Sequence, residues 1–307
     1  MPKQPAKPAL SEVGEKALTD YEHHLRSEVD LRPTTIRNYL SDVRLFMAWY
    51  EQTAPQEKEE TVAFLPAQIT TPTLTHYRDY LKLHLDCKPA TINRYLVSLK
   101  RYFGWALERG AIERNPAKVV KLVNQSPKSP RHLTDKEEEK LLIAAQHHVR
   151  DYTLLLFMLH TGLRVGEVCA LKREDVVLDK RKGFARLWGK RNKYREVPLN
   201  ITARNSLSEY LASDKAGKYF LFESQRTHQA LTPRAVGFLI TKYAQKASIL
   251  ALSPHDLRHR FGYRMAQKVP LYQLAQIMGH DSLDTTLIYI QATAQDLQRA
   301  VEEISWQ

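Results

Sequence analysis

The stretch HTGLRVGEVCALKREDVVLDKRKGFARLWGKRNKYREVPL, residues 160–199, decides the fold, because an otherwise helical chain changes its period there. Gly162 marks a turn, and Arg164 heads the next helix with Glu167 three residues on, placed to hold the guanidinium or to cap the helix. From about Leu171 the apolar residues no longer recur every three or four positions. EDVVLD, GFARLWG and KYREVPL alternate instead, broken at residues 179–183 and 189–192, which predicts a small antiparallel sheet. The second break lifts Lys190 onto a hairpin tip. Residues 172–195 hold ten basic and three acidic side chains, a density that phosphate contacts require and that a solvated lysine face also produces.

On the N-terminal side the pattern is helical. In RPTTIRNYLSDVRLFMAWY, residues 32–50, the side chains of Ile36, Tyr39, Leu40, Val43, Phe46, Met47 and Tyr50 fall on one stripe, with Thr34 or Thr35 placed to cap it. KPATINRYLVSLKRYFGWALERG, residues 88–110, repeats this with Ile92, Tyr95, Leu96, Leu99, Phe103 and Leu107 and stops at Gly110. Arg37, Arg44, Arg94, Lys100 and Arg101 lie off these stripes, where they either grip a nucleic-acid backbone or keep the helices soluble. NQSPKSPRHLT, residues 124–134, has no apolar period and reads as a linker, with the boundary at 126–131. Beyond it, Thr134 and Glu137 form a capping box that opens a helix to about His147, and helical patterns resume from Ile201 to the end. The expected architecture is mainly α: an N-terminal helical domain (9–124), a linker (125–131), and a mostly helical domain (132–307) with a small antiparallel β-sheet.

A chain of 307 residues has room for two cores. No apolar run approaches the roughly 20 residues of a membrane span, and MPKQPAKPAL lacks a secretory stretch, so a cytoplasmic protein is expected. Cys87 and Cys169 are far apart and without metal-ligand spacing, as packed thiols are. The net charge is +12, and residues 126–307 carry 28 basic against 19 acidic side chains, compared with 18 against 15 before them. A polyanionic partner fits that balance. There is no phosphate-cradling glycine loop, no zinc spacing and no carboxylate cluster for magnesium, so neither metal nor nucleotide cofactor is expected.

Two further segments carry chemistry. In LSPHDLRHRFGYRM, residues 252–265, Ser253, Pro254 and Asp256 fit a helix start, and His255 and Arg258 share a face near its N-terminus, where a phosphate would also meet unpaired N–H groups. Leu257, Phe261 and Met265 form the opposite, core-facing stripe. In LAQIMGHDSLDTTLIYIQ, residues 274–291, Gly279 stops a helix and His280 follows it directly. Ser282 caps a short helix expected to turn Leu283, Leu287 and Ile290 inward while Tyr289 projects elsewhere.

Taken together, Arg164, Lys190, His255, Arg258, His280 and Tyr289 resemble the active site of the tyrosine recombinase (phage integrase-like) family. TGLRVGE, GKRNKYREVPL, HDLRH and MGH occur in that family's order, over residues 132–291, with Tyr289 nine residues after His280. The chain departs from the usual pattern at Arg260 and Gly262, where small or apolar residues are common. The resemblance implies an N-terminal core-binding domain that contacts DNA through Arg37, Arg44, Arg94, Lys100 and Arg101, with Arg191 and Lys193 on the basic hairpin. It also implies a catalytic domain that cleaves and rejoins DNA through a 3′-phosphotyrosine. In that scheme Arg164 and Arg258 stabilise the phosphorane-like transition state, His255 accepts the tyrosine proton, Lys190 protonates the leaving 5′-oxygen, and His280 holds a phosphate oxygen.

The implied partner is a double-stranded recombination site bound by a homo-tetramer that holds two duplexes. Free chains are monomers or dimers, and the amphipathic tail from Thr293, with Leu297, Val301, Ile304 and Trp306, docks on a neighbour. With no room before Ala9 for an arm-binding domain, the simple two-domain Xer or transposon-resolution type is expected. A type IB topoisomerase, or a silent DNA-binding protein on the same scaffold, are the alternatives.

Overall fold

The computed structural model describes residues 8–53, 63–125, 131–188, 194–213, 215–280, 282–289 and 301–302. The chain divides into two compact units, residues 1–127 and 128–307.

In the first unit, α1 (Glu12–Ser27), α2 (Pro33–Thr53), α3 (Thr71–Leu83) and α4 (Pro89–Glu108) enclose an aromatic core that includes Tyr21, Phe46, Phe64, Tyr77, Tyr102 and Phe103. Prolines at the first helical position begin α2 and α4, where a missing N–H costs nothing. Thr34 and Thr35 therefore lie inside the first turn of α2, and it is the Arg32 carbonyl that accepts the first hydrogen bonds, so neither threonine is the cap expected of it. Leu107 is 40 % exposed and is not part of the buried stripe of α4. Asp42, buried in α2, accepts from Ser98 Oγ (2.7 Å) and pairs with Arg94 (2.7 Å), which ties α2 to α4.

The second unit is built around α6 (Val149–Thr161), whose residues 153–159 are buried on every side. Around it lie α5 (Asp135–Ala145), α7 (Val165–Ala170), α8 (Ile201–Ala212), α9 (Pro233–Lys246), α10 (Pro254–Ala266), α11 (Leu271–Met278) and α12 (Asp284–Leu287). The Thr134–Glu137 capping box opens α5. Three strands, β1 (Val176–Leu178), β2 (Gly183–Trp188) and β3 (Tyr194–Pro198), form an antiparallel sheet in sequence order. Val176 lies opposite Ala185, and Ala185 opposite Val197, so Ala185, Leu187 and Val197 point into the core while Arg186 points out. The period-2 reading of residues 174–199 corresponds to this sheet. The helical reading fails between α8 and α9. Residues 215–232 fold as a turn-rich connection held by the bridges Lys172–Phe220 and Glu223–Ala230, with the Glu223 carboxylate accepting from the N–H groups of Tyr219 and Phe220.

One polar contact locks α10 to α5. Arg260, only 4 % exposed, donates to Glu138 (2.7 Å) and to Asp135, and Arg264 donates to the other Glu138 oxygen (2.8 Å). Removing one partner of a buried pair strands the other, a loss on the order of 3 kcal/mol. We expect Glu138→Ala to lower unfolding free energy by about that amount. Chemical denaturation of the full chain measures it, and a change below about 0.5 kcal/mol, the scale of an ordinary surface substitution, would contradict the structural role.

Candidate active site

Helix α10 sets the site. Asp256 accepts from both the N–H (2.8 Å) and the hydroxyl (2.7 Å) of Ser253, which fixes the first turn, and Pro254 supplies the pre-set φ. Positions 255, 258, 259 and 262 then share one face, being three and four apart. His255 is exposed at its upper end; Arg258, His259 and Gly262 are buried below it. Leu257, Phe261 and Met265 lie on the other side, where Leu257 enters the main core and Phe261 joins a smaller cluster with Met265.

Arg258, 3 % exposed, donates through Nη1 to the Gly162 carbonyl (2.6 Å) and through Nη2 to the Met278 carbonyl (3.0 Å). Both oxygens sit at helix C-termini, where carbonyls lack intrahelical partners and the helix dipole is negative. Gly162 and Gly279 adopt left-handed conformations (φ 62° and 65°) that end α6 and α11 there. Arg164, at the N-cap of α7, reaches the same place by donating through Nη2 to the Gly279 carbonyl (2.9 Å). Arg195 on β3 arrives from the sheet, bonded to Glu167 (2.9 Å) and to the Met278 carbonyl (3.4 Å). Glu167 does both things expected of it: it accepts from the Arg164 N–H (2.8 Å) and lies 3.3 Å from the Arg164 guanidinium. Three guanidinium groups thus gather at these helix ends, and Glu167 bonds two of them, Arg164 and Arg195. Burial, with Arg164 beside it, pushes the Arg258 pKa down to about 10, so it remains cationic at neutral pH while short of counter-charge. An anion is the ligand such a seat suits.

Tyr289 follows α12 and lies 5 % exposed against the same face of α10. Its ring rests on Gly262, where a Cβ would stand 2.5 Å from the ring carbons, with Tyr263 edge-on (5.3 Å, 86°) and the His280 ring stacked beside it (6.4 Å, 12°). The phenol oxygen lies 3.1 Å from His259 Nδ1. Burial raises the Tyr289 pKa, and Arg258 and Arg164 pull against that shift, so both charges are felt at the phenol. His280 Nδ1 lies 2.7 Å from the Thr286 hydroxyl. His255 packs edge-on against His259 (4.3 Å, 75°), and partial burial with Arg258 nearby lowers its pKa.

Of the six residues singled out by sequence, Arg164, His255, Arg258, His280 and Tyr289 lie in one region of the second unit, around α10 and the end of α11. Lys190, Arg191 and Lys193 lie outside the described residues. The reading of residues 282–290 is reversed in part: Leu283 (51 %) and Leu287 (50 %) are exposed, while Thr286 and Tyr289 point inward, and Ile290 is outside the described residues. Ser282 does accept from the Asp284 N–H (3.1 Å). Sequence reasoning passed over three residues. Gly262, a departure from the family pattern, is the seat of the tyrosine; His259 carries a spacing signal, four residues after His255; Arg195 is one cation among ten in its stretch. In the first unit Arg44 is taken up by a fork to Glu15 (2.5 and 2.7 Å), and Arg101 lies over Tyr39. Arg37 is exposed, and Lys100 partly so.

Residues 131–296 match the phage integrase family, and residues 18–110 match the phage integrase N-terminal SAM-like domain. The tyrosine recombinase XerA of Pyrococcus horikoshii is 34% identical over 218 residues, covering 69% of this chain and 73% of XerA. The tyrosine recombinase XerC of Thermodesulfovibrio yellowstonii is 29% identical over 301 residues, covering 93% of each chain. Among solved structures, a lambda integrase dimer bound to a core site superposes with a TM-score of 0.69 at 20% identity, over 88% of this chain and 96% of that one.

Two outcomes follow from the geometry. Gly262→Ala should drive the Tyr289 ring from its seat, so nitration by tetranitromethane, mapped by mass spectrometry, should rise at Tyr289 in the variant; equal labelling would show that the seat tolerates a methyl. His259, held to about 4 by burial, takes up its proton later than the ordinary histidine of an unfolded chain, near 6.5. Between those values the unfolded chain binds more protons, so stability falls on acidification by up to about 1.4 kcal/mol per pH unit from this group. His259→Phe should flatten the dependence of unfolding free energy on pH between about 6.5 and 4, and an unchanged slope would contradict the assignment.

Proposed function

This chain belongs to the phage integrase family and is a tyrosine-type site-specific recombinase, and from that premise we propose the parts its own residues play. Tyr289 Oη attacks the scissile phosphorus, a Tyr–O–P bond forms, the P–O5′ bond breaks, and the chain is left on the 3′ phosphate. Arg164 and Arg258 carry the charge that builds on the nonbridging oxygens. His255, whose pKa is lowered by partial burial with Arg258 nearby, accepts the tyrosine proton, Lys190 delivers one to the departing 5′ oxygen, and His280 bonds a phosphate oxygen. The phosphotyrosine conserves the bond energy, so a 5′-hydroxyl from a second duplex displaces Tyr289 in a reversal of the same step. The observation that carries this reading is the meeting of Arg164, Arg258 and the Tyr289 phenol on one face of α10, with two arginine charges acting on the phenol.

The substrate is double-stranded DNA carrying a recombination site. Four chains hold two duplexes, with the tail from Thr293 docked on a neighbour. The N-terminal domain (9–124) grips the backbone through Arg37, Lys100 and Arg101; Arg94 keeps its Asp42 bridge, and Arg191 and Lys193 act from the hairpin. Arg44 serves this role only by leaving Glu15. No described helix is long and apolar enough to cross a membrane, and the setting we propose is the cytoplasm.

The test begins by recovering the site from randomised duplex DNA through binding to the wild-type chain, then nicking that site near the scissile phosphate. In EDTA, wild-type protein should become covalently attached to the 3′ end. Tyr289→Phe should give no adduct, and Arg258→Ala should slow attachment by about 10²-fold or more, as loss of an oxyanion donor does. Adduct persisting in Tyr289→Phe would move the nucleophile elsewhere. Plasmids with two copies of the site should give recombinant products; relaxation alone would place the chain with type IB topoisomerases.

A further inference from the structure

The roles just proposed leave His259 without one, although it is the described residue that holds the nucleophilic oxygen. It is 7 % exposed, and its Nδ1 lies 3.1 Å from Tyr289 Oη. A neutral imidazole offers one N–H and one lone pair, and a phenol offers one proton. Burial, His255 and Arg258 all disfavour the imidazolium, against the single opposing charge of Asp256, so the neutral form occupies this position at neutral pH. In the arrangement that leaves the phenol free to react, Nδ1 accepts the Tyr289 hydroxyl and the other nitrogen carries the proton. The lone pairs of Oη are then turned away from His259.

The ring has little freedom to evade that contact. Gly262 is one turn below His259 on α10, and the phenol ring rests in the space its missing side chain leaves; Tyr263 closes one edge and His280 lies parallel beside it. His255 is one turn above, edge-on to His259 and exposed. The four positions form a track along one helix face: a seat for the ring, a hold for the hydroxyl, the Arg258 fork, and an open imidazole at the end from which a phosphate would approach.

We propose that His259 is a positioning residue for the nucleophile, accepting the Tyr289 hydroxyl so that the oxygen's lone pairs face the phosphate seat formed by Arg164 and Arg258. This rests on the recombinase reading above. His259 sits on the nucleophile's side of the reaction and does not protonate the leaving group; the phenol proton it holds moves on to His255, packed against it, as the Tyr–O–P bond forms. It acts by aiming one atom, and a misaimed nucleophile loses rate without losing affinity for the bound group.

The test measures single-turnover attachment to the nicked site alongside equilibrium DNA binding, for the wild type, His259→Phe and His259→Asn. Phe keeps a ring with no acceptor; Asn places an amide oxygen near the position of Nδ1. We expect His259→Phe to attach about 10- to 100-fold more slowly at unchanged DNA affinity, and His259→Asn to recover at least a tenth of the wild-type rate. A substrate with a 5′-bridging sulfur, whose thiolate leaves without an acid, should not rescue His259→Phe. Rescue by that substrate would assign His259 to the leaving group and overturn the proposal. So would attachment at or above the wild-type rate in His259→Phe, since faster attachment would make the contact a restraint on the tyrosine. An Asn variant as slow as Phe would overturn it as well, by reducing His259 to a packing residue. Absence of adduct with the wild-type chain would instead remove the recombinase reading on which the proposal stands.

Discussion

The fork of Arg258 onto the carbonyls of Gly162 and Met278 is the interaction from which the rest of the site follows. Burying a guanidinium carries a desolvation cost of several kcal/mol, offset only where fixed acceptors meet its donors in good geometry. Two helix C-termini provide such acceptors, because their last carbonyls have no partner within the helix and carry the negative end of its dipole. The ends of α6 and α11 must therefore converge on the middle of α10. Gly279 makes this possible at α11: its left-handed backbone turns the chain away at once and leaves the carbonyls bare. Arg195 then closes on the Met278 oxygen and Arg164 on that of Gly279, the next residue, and Glu167 bridges the two.

This construction leaves the cluster short of counter-charge, as a seat for an anion must be. Backbone carbonyls orient the guanidinium groups without neutralising them, and Glu167 is the carboxylate that bonds both Arg164 and Arg195. A phosphate arriving there meets donors already fixed by the fold, so little reorganisation remains when charge builds up on its oxygens. The proposed nucleophile is held by the same helix. Because Tyr289 packs over Gly262, one turn from Arg258, the distance between attacking oxygen and cationic seat is set by helix geometry more than by the loop that carries the tyrosine.

Much of this architecture was legible in the residue pattern. The switch from period 3.6 to period 2 after residue 171 marked the sheet, Thr134 with Glu137 marked the start of α5, and the order of TGLRVGE, HDLRH and MGH, with Tyr289 nine residues after His280, marked five side chains that the fold gathers. What escaped depended on three-dimensional approach. Nothing local distinguishes Gly262 from a helix-weakening glycine until a ring from 27 positions later lies on it. Arg195 looks like any outward strand cation until the end of α11 arrives beside it. Leu283 and Leu287 have apolar spacing without burial; in so short a helix the buried positions are Thr286, bonded to His280, and Tyr289, bonded to His259 and packed in an apolar cluster. The partner of Arg44 is equally invisible to the pattern, because Glu15, which holds it, lies on another helix.

The claim most exposed to disproof is that a phosphate seated on Arg164 and Arg258 meets the oxygen of Tyr289 and of no other residue. The direct measurement is to trap the protein–DNA adduct on the nicked site, digest protein and DNA, and locate the remaining phosphonucleotide by tandem mass spectrometry. That mass should appear on Tyr289 alone, joined through its oxygen to a 3′ phosphate. A phosphonucleotide on Tyr263, on a serine or histidine, or linked through a 5′ phosphate, would contradict it.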